Sequence, residues 1–163
     1  GTGLGDGGIP IWQHEVTTGA MWLKACDTLN RICDLAEEEG VVFTLENLNL
    51  LDHPGCPFGS TEDVLALVSS IDRLGLRINL DLYHTQIGEG DLIRWCEKCL
   101  PWIGEVQVAD NPGRCEPGTG EINYNGVALA LSKLGYSGPV GMEALAKGDE
   151  VAALAAFRAA FTF

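Results

Sequence analysis

Four short β-rich segments alternate with helical segments along this 163-residue chain, and this alternation limits the folds open to it most strongly. The β-rich segments are largely apolar, which is typical of strands buried on both faces of a parallel sheet. Strands that alternate with helices through short links pair in parallel with right-handed crossovers. Strands are predicted at 41–45, 76–82, 103–109 and 139–145, and helices at 21–39, 60–71, 91–100, 124–134 and 149–161.

Charge and composition exclude several other classes of protein. The net charge of −13 argues against a nucleic-acid partner, because binding a phosphate backbone requires clustered lysine and arginine side chains. No apolar run approaches the roughly 20 residues that span a bilayer, so no membrane partner is expected. With 46% apolar and 20% charged residues, the chain is predicted to form one globular domain over residues 1–163.

The cysteine and glycine patterns do not indicate a zinc site or a dinucleotide cofactor. Cys96 and Cys99 form a C-x-x-C pair, but zinc binding would need a second pair at matching spacing. We therefore predict reduced, structural thiols and a cytoplasmic location. Gly3, Gly5 and Gly8 match the G-x-G-x-x-G pattern, yet no strand precedes them, and the dinucleotide fingerprint requires one.

One polar side chain stands at the carboxyl end of each predicted strand: Glu46, Asp81, Gln107 and Glu143. The carboxyl ends of parallel strands meet at one edge, which carries the active site in α/β barrels. Three converging carboxylates repel one another unless a cation lies between them. Oxygen ligands suit Mg²⁺ or Mn²⁺, and also Co²⁺, better than Zn²⁺ or Cu²⁺. The alternative is four unrelated polar residues, each with a separate partner.

Histidines near these strand ends are candidates for substrate contacts. His84 follows Asp81 by three residues, and its neutral imidazole could form a hydrogen bond with a substrate oxygen. A purely structural role is the alternative. His53 and His14 lie in predicted loops, and His53 is the stronger candidate because its loop follows the strand that ends at Glu46.

Arg114 is one of only ten cationic side chains in a very acidic chain. It lies in the Gly- and Pro-rich loop after the third predicted strand, and its guanidinium could bind a substrate carboxylate through two hydrogen bonds. The alternative is a surface ion pair with Glu116 or Asp110.

Four segments together resemble the hydroxypyruvate isomerase family, which belongs to the xylose-isomerase-like barrels of sugar isomerases and epimerases. They are residues 45–49, 81–84, 107–124 and 141–143, of which the third is the most specific. The resemblance implies a TIM (β/α)₈ barrel, which needs about 250 residues. We therefore expect this chain to supply strands five to eight of the barrel, with the N-terminal half, about 90–110 residues by the same estimate, absent.

The resemblance also implies an activity and a role for each candidate residue. Glu46, Asp81, Gln107 and Glu143 would bind the divalent metal, Glu46 and Glu143 would be the catalytic acid and base, and His84 and Arg114 would bind substrate. The activity would be conversion of hydroxypyruvate to tartronate semialdehyde through a metal-stabilised enediolate. The partner would be a small hydroxy-carbonyl acid or sugar, and a homo-oligomer is compatible with this prediction.

Two other classes of function remain open. A ketose 3-epimerase or an inosose-type sugar isomerase could use the same barrel and the same metal ligands. A non-catalytic barrel or a metal-dependent endonuclease would be a different class, and the net charge argues against the endonuclease.

Overall fold

The computed structural model describes residues 3–4, 10–11 and 16–162. Two short strands, β1 (Gly3–Leu4) and β2 (Pro10–Ile11), pair antiparallel. The remaining strands are β3 (Phe43–Glu46), β4 (Leu76–Asp81), β5 (Ile103–Val108) and β6 (Val140–Met142). The helices are α1 (Gly19–Glu39), α2 (Thr61–Ile71), α3 (Leu82–Gly88), α4 (Leu92–Cys99), α5 (Tyr124–Lys133) and α6 (Glu150–Ala160), and a 3₁₀ turn, Leu100–Trp102, follows α4.

Strands β3 to β6 form one parallel sheet in chain order, which confirms the predicted parallel α/β architecture. The pairing register places Asp81 beside Gln107, and Gln107 beside Gly141. Because all four strands run in the same direction, their carboxyl ends lie along one edge of the sheet. The polar residues that end the strands are thereby brought to the same edge.

The core lies between the sheet and the helices that cover one of its faces. Leu76, Ile78 and Leu80 of β4 are fully buried and join the apolar cluster formed with α2, α4 and α5. Since side chains alternate between the two faces of a strand, Asn79 and Asp81 lie on the opposite face. Strand β4 therefore anchors the sheet with one set of residues and carries a site residue with the other.

The structure differs from the predicted elements after Asp81 and in the last strand. Helix α3 was not predicted, so the described part of the chain has six helices rather than five. Strand β4 ends at Asp81 because its carboxylate Oδ1 accepts hydrogen bonds from the backbone N–H groups of Tyr83 and His84, at 2.8 and 3.1 Å, and so caps α3. The last strand is shorter than predicted, since β6 ends at Met142.

Several predictions concern segments outside the sheet. Gly5, Gly8 and His14 lie outside the described residues. None of the described helices is both long enough and apolar enough to cross a membrane. Cys96 and Cys99 are buried free thiols, and burial raises the pKa of each to about 12, so neither ionises near neutral pH.

Candidate active site

Glu46, Asp81 and His84 form a compact cluster at the carboxyl edge of the sheet. Glu46 ends β3, Asp81 ends β4, and His84 lies in the first turn of α3. His84 Nε2 lies 3.7 Å from Glu46 Oε1 and 4.0 Å from Asp81 Oδ2. One ligand atom from each of the three side chains lies within 4.8 Å of the others. The structure thus brings together two predicted metal ligands and one predicted substrate contact.

Asn47 fixes the end of β4, a role that the sequence analysis missed. Its buried side chain accepts a hydrogen bond from the backbone N–H of Asp81 at 2.9 Å and donates one to the Asp81 carbonyl at 3.1 Å. The same amide donates to the hydroxyls of Thr61 and Thr85 at 3.2 and 3.1 Å. Because Asn47 directly follows Glu46, this network ties the end of β3 to the end of β4, the two strand ends that carry Glu46 and Asp81.

Arg114 pairs with Glu143, the polar residue that follows β6. Its Nη2 lies 2.5 Å from Glu143 Oε2 and 3.9 Å from Asp81 Oδ2. The guanidinium carbon also lies 5.0 Å from the centre of the Tyr83 ring, a cation–π contact. Arg114 therefore extends towards the same edge as the carboxylate cluster, and its role in binding substrate stays a prediction.

The loop after β5 holds Arg114 in place. The buried Asp110 carboxylate accepts hydrogen bonds from the backbone N–H groups of Asn111, Gly118 and Ile122. Arg114 itself has a left-handed backbone with a φ of 52°. Among the described residues, the acidic partners of Arg114 are Glu143 and Asp81, and neither predicted surface partner, Glu116 or Asp110, pairs with it. Glu116 instead accepts a hydrogen bond from the Lys147 backbone N–H.

Gln107 lies beside Asp81 on β5, and its Oε1 atom is buried without a hydrogen-bond donor among the described residues. A buried acceptor without a partner is costly, whereas a bound cation would satisfy it. Glu46 and Asp81 belong to the compact cluster, Gln107 adjoins Asp81 along the sheet, and Glu143 is linked to Asp81 through Arg114. The residues present thus fit a hard divalent cation such as Mg²⁺ or Mn²⁺.

The environment of the cluster changes its protonation. Burial, followed by the nearby charges of Asp81 and Glu143, raises the pKa of Glu46 to about 7. Burial also raises the pKa of Asp81 to about 6, against the opposing effect of hydrogen bonds from the backbone. Burial, with Arg114 and His53 nearby, lowers the pKa of His84 to about 4. Near neutral pH His84 is therefore uncharged, and Glu46 is close to half protonated when no cation is bound.

This titration predicts a pH-dependent stability in the presence of a chelator. Folding raises the pKa of Glu46 from its ordinary value of 4.5 to about 7. The stability gained from protonating Glu46 in the folded state is therefore complete below pH 4.5 and is lost as the pH rises to about 7. Glu46→Gln removes this term, so its free energy of unfolding relative to the parental chain should increase between pH 5 and pH 7.5, as measured by urea denaturation.

Glu97→Gln, at an exposed position on α4, is the matched control, because it removes the same formal charge away from the cluster. The free energy of unfolding of Glu97→Gln relative to the parental chain should change little between pH 5 and pH 7.5. If Glu46→Gln and Glu97→Gln change the free energy of unfolding with the same pH dependence, the raised pKa of Glu46 is wrong.

Comparison with known proteins assigns the fold. Residues 8–160 match the family described as Xylose isomerase-like TIM barrel, and the chain belongs to this family. Hydroxypyruvate isomerase from Escherichia coli is 35% identical over 117 residues, which cover 72% of this chain and 45% of that protein. 2-Oxo-tetronate isomerase from Cupriavidus necator is 34% identical over 108 residues, covering 66% of this chain and 42% of that protein.

Solved structures show the same arrangement. The structure described as AP endonuclease, family 2, from Brucella melitensis matches with a TM-score of 0.81 and 31% identity, covering 92% of this chain and 58% of that one. An L-ribulose 3-epimerase matches with a TM-score of 0.78 at 22% identity, covering 90% of this chain and 55% of that one, which shows a shared fold. The chain spans about half the length of the curated relatives that it matches.

Proposed function

We propose that this chain carries the substrate and metal site of a divalent-metal-dependent isomerase of small hydroxy-carbonyl acids, converting hydroxypyruvate to tartronate semialdehyde. The observation that carries the proposal is the convergence of Glu46, Asp81 and Glu143 with Arg114 at one sheet edge. Relatives named hydroxypyruvate isomerase and 2-oxo-tetronate isomerase support it. Four parallel strands in chain order, and the half-length match, support an arrangement as half of an eight-stranded barrel.

Glu46, Asp81, Gln107 and Glu143 would hold the divalent ion, with Mg²⁺ or Mn²⁺ favoured by the oxygen donors. When bound, the ion would polarise the substrate carbonyl and stabilise the negative charge of the enediolate. The unpartnered Gln107 oxygen and the raised pKa values of the half-buried Glu46 and the buried Asp81 carboxyl groups support a cation at this position.

Glu46 and Glu143 would transfer the proton. Glu46 would act as the general base and remove a proton from the hydroxymethyl carbon of hydroxypyruvate. A proton would then be returned to the former carbonyl carbon, by Glu143 or by Glu46 itself. The hydroxyl hydrogen would pass to the neighbouring oxygen, so substrate and product have the same composition.

Arg114 would select an acidic substrate by holding its carboxylate. In the structure this guanidinium pairs with Glu143, and a substrate carboxylate would offer it a second partner of the same charge and shape. A neutral ketose has no such group, which favours hydroxypyruvate over the 3-epimerase and inosose alternatives. The net charge of −13 disfavours the DNA phosphates that an endonuclease must approach.

A substrate screen with a matched pair of arginine variants tests this proposal. The parental protein and each variant are incubated with hydroxypyruvate or with a neutral ketose, in the presence of Mn²⁺, of Mg²⁺ or of a chelator. Products are measured by NMR. We expect turnover of hydroxypyruvate that requires a divalent ion. Arg114→Gln should lower kcat/KM for hydroxypyruvate about 10- to 100-fold, the usual loss of a hydrogen bond to a charged group.

Arg94→Gln is the control, because Arg94 is an exposed arginine that pairs only loosely with Asp91. Its kcat/KM should remain near the parental value. Turnover of ketoses in preference to hydroxypyruvate would support the epimerase alternative. Turnover that persists in the chelator would contradict the metal-dependent mechanism.

A further inference from the structure

The orientation of the Asn49 side-chain amide is fixed by two partners of opposite kind. Asn49 is buried in the segment that follows β3. Its Oδ1 accepts the backbone N–H of Asp52 at 2.8 Å, and its Nδ2 donates to Asp52 Oδ2 at 2.9 Å. A backbone N–H can only donate and an ionised carboxylate can only accept. Rotating the amide by 180° would break both bonds, so the Nδ2 position is determined.

The same Nδ2 group lies 2.7 Å from Nδ1 of His84. Since one Nδ2 hydrogen is bound to Asp52, the other points to the imidazole, and Nδ1 must accept it through its lone pair. A proton on Nδ1 would set donor against donor, which excludes both the imidazolium and the Nδ1–H tautomer. The ring proton therefore resides on Nε2, the atom that faces Glu46 Oε1 at 3.7 Å and Asp81 Oδ2 at 4.0 Å.

We infer that Asn49 is a positioning residue that fixes His84 as the Nε2–H tautomer, so that His84 donates a hydrogen bond into the site and is not a metal ligand. A protonated ring nitrogen has no lone pair to offer a cation. The cation is thereby left to the oxygen donors, and the N–H is directed to an oxygen held between Glu46 and Asp81. That this oxygen belongs to a hydroxy-carbonyl substrate rests on the proposed function.

The surroundings of His84 also fix the plane of its ring. The ring is buried and makes edge contacts with the rings of His53 and Tyr83, whose centres lie 5.4 and 5.2 Å away. Its backbone N–H is bound by the Asp81 carboxylate at 3.1 Å. With the ring plane and the backbone both fixed, the hydrogen bond from Asn49 decides which nitrogen carries the proton.

Side-chain ¹⁵N–¹H correlation spectra of the metal-free chain at neutral pH test the inference directly. The His84 signals are assigned by their loss in His84→Gln, because the chain has three histidines. We expect an unprotonated Nδ1 and a protonated Nε2. A protonated Nδ1, alone or together with a protonated Nε2, would overturn the inference.

A paired substitution reverses the donor and the acceptor. Asn49→Asp alone would set two carboxylates 2.9 Å apart, at the present distance from Asp52 Oδ2, and could unfold the chain. In the double variant Asn49→Asp, Asp52→Asn, the new amide donates to the new carboxylate and the local hydrogen bonds are preserved. The double variant should move the His84 proton to Nδ1, whereas Asp52→Asn alone should leave it on Nε2. An unmoved proton in the double variant would mean that Asn49 only supports the loop, and would refute its positioning role.

Metal preference gives an independent measurement. In the double variant Nε2 gains a lone pair that faces the cluster, and neutral imidazole is a good ligand for Zn²⁺. Calorimetry should show Zn²⁺ binding at least about tenfold tighter than in Asp52→Asn, while kcat/KM for hydroxypyruvate falls about 10- to 100-fold, the usual effect of an altered supporting residue. Equal Zn²⁺ affinity in the two variants would contradict the inference. If the tautomer moves as expected but no variant or parental chain isomerises hydroxypyruvate, the proposed function fails and the role of Asn49 stands.

Discussion

Glu46→Gln in the active protein is expected to lower kcat for hydroxypyruvate by about 10²- to 10⁴-fold, the usual contribution of a general base. Glutamine has almost the shape of glutamate but cannot take up the proton. The substitution also removes one of the mutually repelling carboxylates, so the fold should be retained at neutral pH. Steady-state kinetics and the thermal unfolding midpoint, measured on the same samples, separate loss of catalysis from loss of fold.

Glu143→Gln should lower kcat to a similar extent, since it removes the second glutamate of the proposed pair. Glu97→Gln again serves as the control and should retain the parental rate, because its side chain is exposed on α4. A rate near the parental value in either Glu46→Gln or Glu143→Gln would show that the two-glutamate assignment is wrong.

Leu80→Ala is expected to give the largest loss of stability, about 2–5 kcal/mol in the free energy of unfolding. Leu80 is fully buried on the helix-covered face of β4, one residue before Asp81. Truncation removes apolar contacts and leaves a cavity that the surrounding strands and helices can fill only in part. Urea denaturation measures the loss, and a domain of ordinary stability has only about 5–15 kcal/mol to lose.

Leu74→Ala is the matched control for this experiment, because Leu74 is 79% exposed just before β4. Its free energy of unfolding should change by less than about 0.5 kcal/mol. A loss below about 1 kcal/mol in Leu80→Ala would contradict the packing of the sheet against its helices, since burial of a leucine is worth more than this.

The periodic features of the chain could be predicted from the sequence. The alternation of β-rich and helical segments predicted the parallel sheet, and the confirmed strand order brings the strand ends together. Glu46 and Asp81 were predicted at the ends of the first two strands of this sheet, where the structure places them. These features could be predicted because the end of a strand is visible in the local sequence. Parallel pairing then places the carboxyl ends of neighbouring strands side by side.

Short elements begun by a single capping side chain, and contacts between distant residues, could not be predicted. Helix α3 has only seven residues and is begun by a hydrogen-bonding side chain rather than by an apolar repeat. Asn49 acts on His84 from 35 positions away, and no local pattern marks that contact. Arg114 pairs with Glu143, 29 positions further along the chain, rather than with Glu116 or Asp110.

The order of strands has a consequence for local stability. Strand β6 has three residues, and among the described residues its one strand partner is β5, so this side of the sheet, taken by itself, opens locally more readily than the centre. Glu143 follows this strand directly and leaves with it. A ligand bound by all four strand ends therefore stabilises the state in which β6 is paired with β5. The higher the concentration of that ligand, the less often β6 separates from β5.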